Sequence, residues 1–193
     1  LERLDEASTH YRKAIAINPD LAMAHNNLGN SLKGLGRLDD AITHYHKAIE
    51  IKPDYADAYY NLGTGLNELG CLEEAVASFH KALAIKPDYV EVHNNLGLVL
   101  QGLGKLHEAM ASYRKALSVK PDFTEAARNL LYAMLNVPAL SPGELFTEHL
   151  RFSEKHSQGV ARPAEDLTND PTPDRRLRVG YLSSDSVSYT HLR

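Results

Sequence analysis

The sequence predicts an all-α solenoid built from one repeated helical pair, and three observations carry that reading. The pairs Pro19-Asp20, Pro53-Asp54, Pro87-Asp88 and Pro121-Asp122 stand 34 residues apart. A wider pattern keeps the same step: Leu28, Gly29, Gly36, Leu38, Ala41, Tyr45 and Ala48 recur as Leu62, Gly63, Gly70, Leu72, Ala75, Phe79 and Ala82, then as Leu96, Gly97, Gly104, Leu106, Ala109, Tyr113 and Ala116. At that period each unit is a helix-turn-helix that can bury its apolar face only against a neighbour.

The elements follow in order. Leu4, Ala7, Tyr11, Ala14 and Pro19 hold the second half of the pattern, so the chain is expected to open on half a repeat. Full units start at 22, 56 and 90, and a terminal helix starts at 124, giving an array over residues 1–136. Gly29, Gly63 and Gly97 fall inside first helices, where glycine costs about 1 kcal/mol relative to alanine. A close contact with the second helix would offset that cost. Ala41, Ala75 and Ala109 supply a shallow surface, and Tyr45, Phe79 and Tyr113, four residues on, share their face. Gly36, Gly70 and Gly104 mark the turns within pairs. Each repeat-end proline stops the second helix, because its ring clashes with the preceding turn and it has no N–H to donate.

In order, spacing and residue type these positions resemble the tetratricopeptide repeat family over residues 1 to about 136. The resemblance implies a right-handed α-solenoid whose first helices line a concave, ligand-holding surface.

Composition narrows the choice of ligand. The net charge is -4 and the pI about 6.2, without the basic stripe that a nucleic-acid footprint requires. No run approaches the roughly 20 apolar residues of a membrane span, and no signal peptide is seen. Cys71 stands alone, so a disulfide framework is excluded and a cytoplasmic location is expected. The ten histidines are scattered without metal-ligand spacing, so no metal is expected.

Two rows on the first helices are the candidate peptide-binding residues. Asn27, Asn61, Asn95 and Asn129 hold one position in four successive units, although asparagine is a mediocre helix former. An amide both donates and accepts, so such a row could pair with the backbone of an extended peptide and ignore its side chains. The plainer alternative is that each amide merely bonds a neighbouring helix or loop. Asp57, Glu91 and Glu125 form an acidic row, with Met23 at the equivalent place in the first full unit. Carboxylates are favoured near helix N-termini in any case, and charge selection among bound side chains is the functional alternative.

Beyond Leu135 the register stops. Residues 137–176 contain Pro138, Pro142, Pro163, Pro171 and Pro173 and read as a linker. Within it Ser141-Pro142-Gly143-Glu144 is an N-cap, a first-turn proline and a capping-box glutamate, so a helix is expected over 141–156, with Leu145, Phe146, His149, Leu150 and Phe152 on its apolar stripe. Residues 177–185 (Leu-Arg-Val-Gly-Tyr-Leu-Ser-Ser-Asp) then read as the first strand of an α/β domain whose other strands would lie past Arg193. Residues 186–193 read as an artefact tail, and the chain is expected to be cut at both ends.

The array, followed by Asn129-Leu130-Leu131, by Leu145-Phe146-Thr147-Glu148-His149 and by the run Arg176 to Asp185, resembles the protein O-linked N-acetylglucosamine transferases and their SPINDLY-type relatives. That resemblance implies an acceptor-recognition arm. The Asn row would grip polypeptide, the acidic row would tune its choice, and a glycosyltransferase domain downstream would use UDP-GlcNAc as donor. No cofactor is expected in this chain by itself. No catalytic residue carries over: Tyr189 stands where the family's histidine is expected, and His191 has no secure equivalent. The implied partners are extended or disordered polypeptides, with self-association through the solenoid surface a further option. A non-catalytic scaffold or co-chaperone is the alternative from another class.

Overall fold

The computed structural model describes residues 2–137, together with 143, 146–148 and 150. Over the first of these ranges the chain forms α1 (Glu2–Ile17), α2 (Ala22–Gly34), α3 (Leu38–Ile51), α4 (Ala56–Glu68), α5 (Leu72–Ile85), α6 (Val90–Gly102), α7 (Leu106–Val119) and α8 (Thr124–Leu135). No strand occurs among the described residues. The strand expected at 177–185 lies outside them, as does most of the helix expected over 141–156, where the Thr147 hydroxyl donates to the Gly143 carbonyl at 2.8 Å.

Each pair is held by one glycine-on-ring contact. The rings of Tyr45, Phe79 and Tyr113 are fully buried and lie against the bare Cα atoms of Gly29, Gly63 and Gly97. A Cβ on Gly29 would stand 2.5 Å from Tyr45 Cε1, and one on Gly63 would stand 2.6 Å from Phe79 Cε1. Ala41, Ala75 and Ala109, with Ala48, Ala82 and Ala116, are also wholly buried, so the second helix offers its smallest side chains where the backbones approach most closely. The first-helix glycine therefore exchanges helix propensity for ring burial.

The turns within pairs share one geometry. Gly36 has φ +76°, and its N–H reaches the Lys33 carbonyl at 2.9 Å while the Arg37 N–H reaches Leu32 at 2.9 Å. Gly70 and Gly104, at φ +80° and +74°, repeat both bonds, which is the Schellman termination of a helix. Between pairs, Lys52-Pro53-Asp54-Tyr55 closes through the Tyr55 N–H on the Lys52 carbonyl at 3.2 Å. Tyr89 on Lys86 and Phe123 on Lys120 do the same, each lysine ammonium facing the ring three residues on.

Packing is nearest-neighbour throughout. Each helix packs on the next in sequence, and α2, α4, α6 and α8 also touch one another in succession. No such contact joins α1, α3, α5 and α7 among the described residues. The first helices therefore crowd on the inner side of the array.

The glycine contacts yield a contrast that stability measurements can check. Gly63→Ala gains about 1 kcal/mol of helix propensity but drives a methyl into the buried Phe79 ring, and such overpacking costs about 1–3 kcal/mol. At Gly102 the new Cβ would meet only Leu72 Cδ1, at an ordinary 3.7 Å. Urea denaturation should find Gly63→Ala less stable than wild type and Gly102→Ala equal or more stable, and a reversed order would show that the ring does not set the pair spacing.

Candidate functional site

The asparagine row lies on the inner side, on α2, α4, α6 and α8, and its members are half-buried. Three of them are tied laterally. Asn61 Nδ2 donates to Asn26 Oδ1 at 2.9 Å, Asn95 Nδ2 to the Tyr60 hydroxyl at 3.2 Å, and Asn129 Nδ2 to Asn94 Oδ1 at 3.0 Å. Each acceptor is the residue just before the asparagine of the preceding unit, so the same link repeats at an offset of one period plus one residue. Among the described residues Asn27 has no preceding inner helix to bond.

This geometry joins the two readings open at the level of sequence. One amide N–H of each linked asparagine bonds a neighbouring helix, as the plainer alternative held. The second N–H and the carbonyl oxygen are not used by that link, although Asn94 Nδ2 approaches Asn95 Oδ1 at 3.4 Å. The lateral bond also fixes which way each amide faces, so Asn61, Asn95 and Asn129 present their groups in one sense along the array.

Asp57, Glu91 and Glu125 are exposed, each four residues before a row asparagine and so on the same helical face. Asp57 Oδ1 accepts the Tyr89 hydroxyl at 2.8 Å, across the junction of two units. Tyr89 also stacks at a tilt on Tyr60, with ring centroids 5.3 Å apart, and Tyr60 stands 6.3 Å from Phe79. Burial, chiefly, raises the pKa of Tyr60 and Tyr89, and the carboxylate of Glu91 adds to both. Both phenols stay protonated; Tyr89 donates to Asp57, whereas Tyr60 accepts from Asn95. On the other flank of the asparagine row, Lys33 bonds Glu68 at 3.1 Å and Leu98, Tyr132 and Leu135 are exposed.

The histidines do structural work that their sequence spacing did not signal. His25 and His93 are buried, and their Nε2 protons go to the carbonyls of Pro19 at 3.1 Å and Pro87 at 2.8 Å. A carbonyl can only accept, so Nε2 of His25 carries a proton, and in the neutral imidazole Nδ1 then accepts from His44 Nδ1 at 3.0 Å. Burial, then the neighbouring His25 and Arg12, lowers the pKa of His44 against the opposing pull of Asp40. Burial lowers that of His93. No cluster of three or more metal-ligating side chains occurs among the described residues, and none of their helices is long and apolar enough to cross a membrane. Of the site, sequence reasoning missed Tyr60, which fills the acceptor place held elsewhere by Asn26 and Asn94, and the Tyr89 to Asp57 link. The equivalence of positions 26, 60 and 94 was the available signal for the first.

Comparisons with known proteins agree with this architecture. Residues 1–36, 29–64 and 66–104 match the family described as TPR repeat, and residues 90–123 match the family described as Tetratricopeptide repeat. Among solved structures, a crystal structure of MamA aligns with TM-score 0.68 and 26% identity over 79% of this chain and 85% of its own. YrrB, described as a TPR protein with an unusual peptide-binding site, aligns with TM-score 0.67 and 27% identity over 76% and 74%. The first TPR of Spaghetti (RPAP3), bound to an HSP90 peptide, aligns with TM-score 0.58 and 24% identity over 59% and 90%, a likeness of fold alone. No curated protein sequence matches the chain.

The histidine contacts make stability depend on pH. Since His44 and His93 titrate below the ordinary 6.5 when folded, the unfolded chain takes up these protons first as pH falls. Their contribution is whole above about 6.5 and is lost as pH drops through that value towards the folded pKa. Thermal melts from pH 7.5 to 5.5 should show Tm falling more steeply in the wild type than in His44→Asn/His93→Gln, whose amides keep the donors without titrating. Parallel slopes would remove these two residues as the cause.

Proposed function

The chain belongs to the tetratricopeptide repeat family, and from that premise we propose that its inner face binds an extended polypeptide along Asn27, Asn61, Asn95 and Asn129. The observation that carries the reading is the lateral tether of the amides. Helix-interior asparagine is costly, and a bond to the neighbouring helix accounts for only one of its polar groups. The remaining donor and acceptor, held in one orientation, suit the N–H and C=O of a peptide backbone with little ordering cost on the protein side. YrrB, with its peptide-binding site, supports a polypeptide as ligand. Asp57, Glu91 and Glu125 would favour cationic side chains on the bound segment.

The finer reading is that this face serves as the acceptor-recognition arm of a protein O-GlcNAc transferase-like enzyme. It rests on the run Arg176 to Asp185 and on Leu145 to His149 in the linker, all part of that family's resemblance. UDP-GlcNAc would then be the donor for a separate catalytic domain, and no described residue is assigned to it. A gene that continues past Asp185 into a long α/β pattern supports this arm, and a stop at Arg193 removes it. The other class is a free-standing scaffold or co-chaperone. A clamp on a partner's terminal carboxylate fits poorly, because Asn26, Tyr60, Asn94 and Arg128 stand where such clamps place lysine.

Fluorescence anisotropy with a peptide blocked at both ends tests the backbone-binding reading. Asn61→Ala/Asn95→Ala should weaken binding about tenfold, as expected for two net hydrogen bonds of about 0.5–1.5 kcal/mol each. The melting temperature should stay within a few degrees, since each lateral link faces solvent on one side. Unchanged affinity in the double variant would overturn the asparagine-row model.

A further inference from the structure

The lateral bonds fix the direction of the amides, and the packing of successive inner helices sets the step from one to the next. Adjacent inner helices touch, which places their axes about 8–10 Å apart. Any peptide that offers an equivalent backbone group to each asparagine must therefore repeat itself at that pitch.

Few conformations do so. In a β-strand the side-chain repeat is two residues, about 6.7 Å, and a third residue points to the opposite face. In polyproline II three residues make one turn of about 9.3 Å, so positions i, i+3 and i+6 face the same way at close to the ladder's own step. The acidic row has the same step. Asp57, Glu91 and Glu125 each precede a row asparagine by four residues, so a polyproline II segment lying on the amides would bring every third side chain to the same flank. Glu91 and Glu125 are exposed and form no ion pair among the described residues, and Asp57 is engaged only by the Tyr89 hydroxyl. Lys52, Lys86 and Lys120, the cations of the neighbouring turns, face the rings of Tyr55, Tyr89 and Phe123.

We propose that this face reads a polyproline II segment of about ten residues carrying Lys or Arg at every third position, its backbone on the asparagine row and its cations over Asp57, Glu91 and Glu125. Four asparagines make three steps, about 28 Å, which nine to ten residues of polyproline II span. The proposal rests on the peptide-binding reading and adds a conformation, a period and a charge to it.

Two fluorescein-labelled dodecapeptides of identical composition, blocked at both ends, test it on the full chain. One is four repeats of Lys-Pro-Ser, and the other carries the same residues with lysines at alternate positions. The three-spaced peptide should bind about tenfold tighter. That preference should vanish in Asp57→Asn/Glu91→Gln/Glu125→Gln, and Asn61→Ala/Asn95→Ala should weaken both peptides. Equal affinities that still fall in the asparagine variant would overturn the three-residue register and leave the peptide-binding reading standing. Binding of neither peptide, or binding indifferent to the asparagine variant, would overturn both.

Discussion

Every other distance in the array depends on one contact, the aromatic ring of each second helix resting on a glycine of the first. Tyr45, Phe79 and Tyr113 can be wholly buried only because Gly29, Gly63 and Gly97 leave a space one methyl deep. Close packing makes that space unforgiving, since interiors are filled to near crystal density. Once the pair spacing is set, small residues follow at Ala41, Ala75 and Ala109, and the Schellman turns at Gly36, Gly70 and Gly104 return the chain at the same angle each time. Tyr45 and Tyr113 also keep a polar tip: their hydroxyls donate to Asn30 at 2.9 Å and to Gln101 at 3.2 Å, while burial raises their pKa, to about 12 for Tyr113.

The same spacing puts polar side chains of successive inner helices within reach of one another. Asn61, Asn95 and Asn129 reach back to Asn26, Tyr60 and Asn94, and Lys33 reaches forward to Glu68. The surface proposed to bind is thus part of the cohesion between units. On the proposed reading, structural and binding roles would be combined in one amide, because an asparagine has more hydrogen-bonding groups than one lateral contact can use.

Much of the fold was legible because a repeat states each packing rule several times. The glycine, alanine and aromatic positions recur at one spacing, and coincidence becomes implausible by the third unit. Proline and positive-φ glycine gave the helix ends, since each forbids or requires a particular backbone. The asparagine and acidic rows were visible for the same reason, and the structure puts both on the inner helices. The lateral bonds were not legible, because they join position n to n+35 and depend on rotamers and helix rotation. Neither was the His25 to His44 bond, which occurs once and so has no second copy to reveal it. The linker and strand expected after residue 137 are single elements without a repeat to reinforce them, and residues 177–185 lie outside the described residues.

Direct polar links between units are unevenly distributed. Among the described residues most of them run through the inner helices and the turns beside them, Lys115 of α7 adding a 4.0 Å pair with Asp88 in the turn before α6, while α1, α3, α5 and α7 share no hydrogen bond or ion pair with one another. Mechanically the array is a stitched spine with an unstitched back. Bending would spread the outer helices first and leave the distance between neighbouring amides almost constant. A ruler made in this way keeps its graduations while it flexes.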